Sequence, residues 1–136
     1  MIPYQAKNSK IKGTRYQEAR DQTFILFNQI KKRSKRKVYI RSAYFKKQKI
    51  FFDYFWQHLS QKPPKERFKR LKYFKVAVEL VRNSKNSPNS IQNPNKSNEI
   101  LHRFAGLTKE KDLFYVQIKE EKRSGKKYFM SCFPAK

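Results

Sequence analysis

The sequence predicts an α+β domain in which N-terminal helices pack on a small C-terminal antiparallel β-sheet. Three observations lead there. Apolar residues recur at helical spacing as far as Arg82. An Asn/Ser-rich tract then occupies residues 83–98. Beyond it the apolar period shortens to two, as in strands that bury one face.

Residues 1–13 show no periodicity and end in Lys12-Gly13, the pattern of a flexible basic arm. Residues 14–136 are expected to form one domain. Tyr16, Ala19, Thr23, Phe27 and Ile30 line one side of a helix, which Thr14 is placed to cap. The helix runs into Lys31, Lys32, Arg33, Ser34, Lys35, Arg36 and Lys37, six cations in seven residues. Cations complement the negative end of a helix, but their mutual repulsion argues against helix through the whole run. Val38 to Ser42 is β-branched and aromatic and reads as a short strand. Ile50, Phe51, Tyr54, Phe55, His58 and Leu59 then predict a second amphipathic helix, stopping before Pro63-Pro64. Pro64 suits the first turn of a third helix, where no N–H is needed. That helix, from about Lys65 to Arg82, sets Leu71, Phe74, Val78 and Val81 on one stripe, with Lys65, Lys69 and Lys72 opposite.

The 83–98 tract holds six Asn and four Ser, whose side chains compete for backbone hydrogen bonds, so it reads as a loop. Ile100–Leu107, Leu113–Lys119 and Lys127–Phe133 follow as three strands joined by two hairpin turns. Symmetric hairpins pair Phe104 with Val116 and Val116 with Ser131. One face then collects His102, Phe104, Gly106, Phe114, Val116, Ile118, Phe129, Ser131 and Phe133 and should cover the core. The other collects Leu101, Arg103, Ala105, Tyr115, Gln117, Lys119, Tyr128, Met130 and Cys132, a mixture of rings, donors and cations. A slip of one residue in either hairpin would exchange members between the faces.

Charge narrows the function. The 136 residues carry 34 Lys+Arg against 10 Asp+Glu, a net +24, and the isoelectric point is near 10.3. Residues 1–37, 38–82 and 83–136 contribute +9, +9 and +6, so the folded part is itself basic. Aromatics make up 15% of the chain, which argues against full disorder. The combination excludes an ordinary small-metabolite enzyme as the first reading and points to a polyanion. No stretch approaches the ~18 apolar residues of a membrane span, and the N-terminus lacks an apolar signal core. With a single cysteine, Cys132, no internal disulfide can form. These features predict a cytoplasmic protein whose partner is nucleic acid rather than membrane.

The chemical candidates are few. No pair among His58, His102 and Cys132 has metal-ligand spacing, and the three glycines form no phosphate loop. Asp112 followed by Gln117-Ile118-Lys119 is a weak echo of a metal-dependent nuclease. Metal-free RNA cleavage asks only for a base, an acid and cations around the phosphate. His102 is either that acid/base group or a hydrogen-bonded histidine of the core. Arg103 in mid-sheet asks for an anion. Lys119 and Ser131 are the remaining polar candidates for such a site. Tyr115 and Tyr128 are placed to stack on bases, with Gln117 between them. The run Lys31 to Lys37 is either a solvated charge block or a phosphate-gripping arm. His58 and Trp56 read as packing residues, and Cys132 as a small sheet residue.

Ile100-Leu101-His102-Arg103-Phe104-Ala105-Gly106, Phe114 to Glu120 and Lys127 to Pro134 together resemble the phage-associated barnase–EndoU–colicin–RelE-like nucleases over residues 99–134. The resemblance implies a RelE-like fold and a metal-independent ribonuclease needing no cofactor, often a toxin of a mobile element. It places polar site residues at His102, Arg103, Gln117, Lys119 and Ser131. An acidic antitoxin or immunity protein is the implied protein partner. The expected function is therefore RNA binding, preferred over DNA, with cleavage by 2′-hydroxyl attack. The alternatives are a non-catalytic DNA- or RNA-binding protein and a ribonucleoprotein subunit using the same basic surface.

Overall fold

The structure, a computed structural model, describes residues 1–135. Its elements are β1 (Tyr4–Gln5), α1 (Tyr16–Arg33), β2 (Tyr39–Arg41), β3 (Lys49–Phe51), α2 (Phe55–Ser60), α3 (Pro64–Lys72), α4 (Phe74–Asn83), β4 (Asn89–Gln92), β5 (Glu99–Leu107), β6 (Leu113–Glu121) and β7 (Lys127–Pro134). The strands run in the order β1-β5-β6-β7-β3-β2, with β4 paired to β5 beside β1. β1 on β5 and β3 on β7 are parallel; the other pairings are antiparallel. The expectation of N-terminal helices on a small antiparallel, RelE-like sheet is overturned. The sheet is mixed, seven-stranded and curled into a half-barrel, and the helices other than α1 are short.

The difference arises from segments whose local sequence is ambiguous. Ile50 and Phe51 fit a helical stripe, yet they form β3 because Ile50 lies opposite Lys127 and Phe51 opposite Tyr128 on β7. Only Phe55–Ser60 of that expected helix is helical. The helix expected from Lys65 to Arg82 breaks at Tyr73, whose φ of −96° and ψ of 1° divide α3 from α4. Asn89–Gln92, expected as loop, pairs with Ile100–Arg103 as an exposed strand. The first residues are docked rather than loose. Ala6 N–H donates to Leu107 O at 2.8 Å, Ile11 N–H to Lys72 O at 2.7 Å, and Ala6 and Ile11 are buried. Glu79 on α4 holds this segment, accepting from Tyr4 Oη, Lys7 N–H, Asn8 N–H and Asn8 Nδ2. At the start of α1, Arg15 rather than Thr14 occupies the N-cap, without a side-chain cap.

The three C-terminal strands fall where alternation places them. Phe104 pairs Val116 as expected, but a bulge between Gln117 and Ile118 changes the second hairpin. Val116 pairs Cys132, Gln117 pairs Ser131, and Ile118 pairs Phe129, leaving Met130 without a partner. An extra residue of this kind transfers its neighbours to opposite faces. Cys132 therefore turns inward and is fully buried, while Ser131, itself buried, and Phe133 join the outer face. Burial pushes the Cys132 thiol up to about 12, against the opposing pull of Arg70. The inner face, with Phe104, Phe114, Val116, Ile118 and Phe129, meets α2 and α4 through Phe55, Phe74, Ala77 and Leu80 in one core. Trp56 stacks on Phe24 of α1 at 4.7 Å, a packing role.

Candidate nucleic-acid interface

The outer face is built in rows by the strand register. Arg103, Gln117 and Ser131 are consecutive cross-strand neighbours on β5, β6 and β7. Arg103 Nη2 donates to Gln117 Oε1 at 3.2 Å. The next row is Ala105, Tyr115 and Phe133, with the two rings 5.8 Å apart and tilted by 47°. Arg103 lies over both, its guanidinium carbon 5.6 Å from the Tyr115 centroid and 5.3 Å from that of Phe133. Among the described residues no carboxylate lies within 4.0 Å of Arg103.

A second arginine reaches the same place from α3. β3 pairs only with the start of β7, so the far end of β7 is flanked by α3 instead. Cys132 Sγ there donates to Arg70 O at 3.4 Å. Arg70 passes over that edge, donates to Ser131 Oγ through Nη1, and lies 5.1 Å from the Phe133 centroid. Its Nε meets Glu66 Oε1 at 3.2 Å, one helical turn back. Two guanidiniums thus share one aromatic ring, and only one of them has a carboxylate. Beside Arg103, Asn89, Ile91, Leu101 and Gln117 complete a cavity of about 230 Å³. Beyond Arg70, Lys65, Lys69 and Lys72 of α3 join Lys10, Phe68, Tyr73 and Pro134 around a cleft of about 360 Å³ with an aromatic floor. Pro134 follows Phe133 directly, so this cleft and the arginine pair adjoin.

The structure divides the other candidates. Lys119 shares the outer face but is closed off: its Nζ is 3.4 Å from Glu99 Oε2 and 4.0 Å from the Tyr54 centroid. Tyr128 is buried and donates to Glu121 Oε1 at 3.2 Å. Burial, then the Glu121 charge, pushes its hydroxyl up to about 12. Both residues hold the sheet together, and of the two tyrosines only Tyr115 remains open for stacking. His102 projects from the opposite face, so it does not meet Arg103 or Ser131. Lys31, Lys32 and Arg33 form the last turn of α1; Lys35, Arg36 and Lys37 follow its Ser34 cap. Lys37 pairs with Asp53 at 2.9 Å. Arg33 lines a different groove, between α1 and α4, with Lys75 and Arg82. Asp112 lies in the β5–β6 turn, 3.9 Å from Lys10 Nζ. His58 is half-buried, and its pKa is lowered first by burial and then by Lys62 and Arg70.

Arg70, Phe133 and Lys10 were not marked by the sequence. Arg70 sits among four other cations in α3, Lys65, Arg67, Lys69 and Lys72, and only the docking of α3 against the β7 edge separates it from them. Comparison of the chain with protein-family models, curated proteins and solved structures finds no match. No helix among the described residues is long and apolar enough to cross a membrane.

Proposed function

We propose that the protein binds single-stranded nucleic acid, with RNA favoured over DNA, along a track from Arg103 through Phe133 and Arg70 to the α3 lysines. The observation that carries this reading is the pair of guanidiniums over one half-buried ring, with Gln117 and Ser131 between them. Arginine grips phosphate through its planar fork, and rings beside it accept unstacked bases. Gln117 supplies hydrogen-bonding groups suited to a 2′-hydroxyl, the atom that separates RNA from DNA, while the buried Ser131 holds Arg70 in place. The α3 cleft extends the positive surface without an acid in its lining. Binding without cleavage is the reading this face supports best, because His102 lies on the other side of the sheet.

Fluorescence anisotropy with labelled single-stranded RNA, its DNA counterpart and an RNA duplex tests it. Single-stranded RNA should bind tightest, and Arg103→Ala should weaken it about tenfold, near the ~1–3 kcal/mol of a lost charge-assisted contact. Arg123→Ala, at the β6–β7 turn, removes the same charge away from the track and should change little. Equal effects of the two substitutions would sink the proposal in favour of diffuse charge attraction.

A further inference from the structure

Behind the interface, on the inner face of the sheet, three polar side chains from three adjacent strands form a line. Ser90 Oγ lies 2.6 Å from His102 Nδ1, and His102 Nε2 lies 2.8 Å from Glu120 Oε1. A carboxylate only accepts, so Nε2 carries the proton and Nδ1 is left to accept from the Ser90 hydroxyl. The His102 side chain is 9% exposed and the Glu120 side chain 21%, whereas Ser90 is exposed on β4. Phe45 packs against the imidazole with ring centroids 5.0 Å apart, which fixes its orientation. We propose that Ser90, His102 and Glu120 form a nucleophilic relay that takes the acyl group of a carboxylic ester carrying an anionic substituent.

The backbone supports the role of Ser90. Asn93 N–H donates to Glu99 O at 2.9 Å, which sets the alternation of the β4–β5 ladder. By that alternation Ser90 and His102 are a pair without backbone hydrogen bonds, the kind whose side chains lie closest. The Ser90 N–H then points away from β5, towards an edge that no other strand of the described residues covers. It is free to donate to the oxygen of a carbonyl attacked at Ser90 Oγ, where an oxyanion would develop. Lys122 Nζ donates to Gln92 Oε1 at 3.0 Å, two residues along the same face of β4, and no carboxylate of the described residues lies within 4.0 Å of it. This cation is what selects an anionic ester.

In the reaction Ser90 Oγ bonds to the carbonyl carbon while its proton passes to His102 Nδ1. The imidazolium, held by Glu120, gives that proton to the leaving alcohol oxygen as the ester C–O bond breaks, leaving acyl-Ser90. Water then attacks the acyl carbon, with His102 taking its proton and returning it to Ser90 Oγ as the free acid departs. No oxidant or second reactant beyond water is needed.

This relay is independent of the nucleic-acid reading, and its test is separate. Purified protein is treated with a fluorophosphonate probe, and the modified residue is located by peptide mass spectrometry. The expected result is one adduct, on Ser90, absent from Ser90→Ala. His102→Gln should slow labelling about 100-fold, within the range of a lost general base, and Glu120→Gln about tenfold. Wild type should hydrolyse the 4-nitrophenyl monoester of succinate faster than the acetate, a preference that Lys122→Ala removes. The Glu120→Gln rate and the Ser90 mapping still decide the matter if His102→Gln does not fold, as circular dichroism would report. No adduct on Ser90, or Ser90 labelling that Glu120→Gln leaves unchanged, would overturn the relay. Equal rates on the two esters would overturn the anionic preference.

Discussion

At the scale of single residues, close packing and polar placement divide the sheet between its faces. Gly106 lies where β5 passes under α4. A Cβ there would stand 2.5 Å from Phe114 Cζ and 2.8 Å from Leu80 Cδ1, both in the packed core. Its backbone does not require glycine; the space does. Gly106→Ala should therefore cost about 1–3 kcal/mol, the usual range for overpacking, read as a lowered urea midpoint with an unchanged slope. A midpoint equal to wild type would mean that α4 can rise from the sheet without loss. Arg103 is one residue away from His102, yet the alternation of the strand sends them to opposite faces. That single fact separates the anion-binding track from the Ser90–His102–Glu120 line.

At the scale of elements, the sequence was legible where an element carries its own pattern and illegible where a partner imposes it. β5, β6 and β7 alternate cleanly and turn through short hairpins, so their extents and first register follow from the residues. The row of Arg103 and Gln117 was visible for that reason. Alternation alone puts Ser131 and Phe133 on the core face and Cys132 outside, because no residue type announces the bulge at Met130. β4 contains one apolar residue in four, and only the edge of β5 makes it a strand. β1 is two residues long, and its anchorage comes from β5 and from Glu79 on α4. Burial alone would raise the Glu79 pKa, but donors from Lys7, Tyr4 and Asn8 outweigh it and hold the carboxyl below its ordinary range. A depressed carboxylate adds stability above its unfolded pKa, about 4.3, and loses it as pH falls through the folded value. Acidification below about pH 4 should thus release the N-terminal segment before the core unfolds. Protection of the Ala6 amide, its exchange rate set against that of an unstructured amide at the same pH, should fall early in wild type. In Glu79→Gln that protection should already be low at neutral pH and change little with acid. Simultaneous exchange of Ala6 and core amides would show that β1 has no opening of its own.

At the scale of the whole molecule, the question is whether +24 acts as a cloud or through a track. A cloud attracts any polyanion, and its salt dependence reflects average charge. A track neutralises a countable set of phosphates and releases their counterions. Arg70 and Arg103, with Lys10, Lys65, Lys69 and Lys72, give six cations in adjoining sites. Single strands lose about 0.7 in log–log salt slope per contact, so wild type should show a slope of about −4. Removing both arginines takes away two of 34 basic side chains, a change of about 6% that a cloud would scarcely register. On a six-contact track it is a third of the contacts, and the slope should fall to about −3. Replacing Lys31 and Lys32, which lie at the end of α1, removes the same charge from a different surface. That pair should keep the slope of about −4 while the arginine pair loses it. If both pairs shift the slope alike, the binding belongs to the field of the whole chain and the Arg103–Phe133–Arg70 arrangement is only packing.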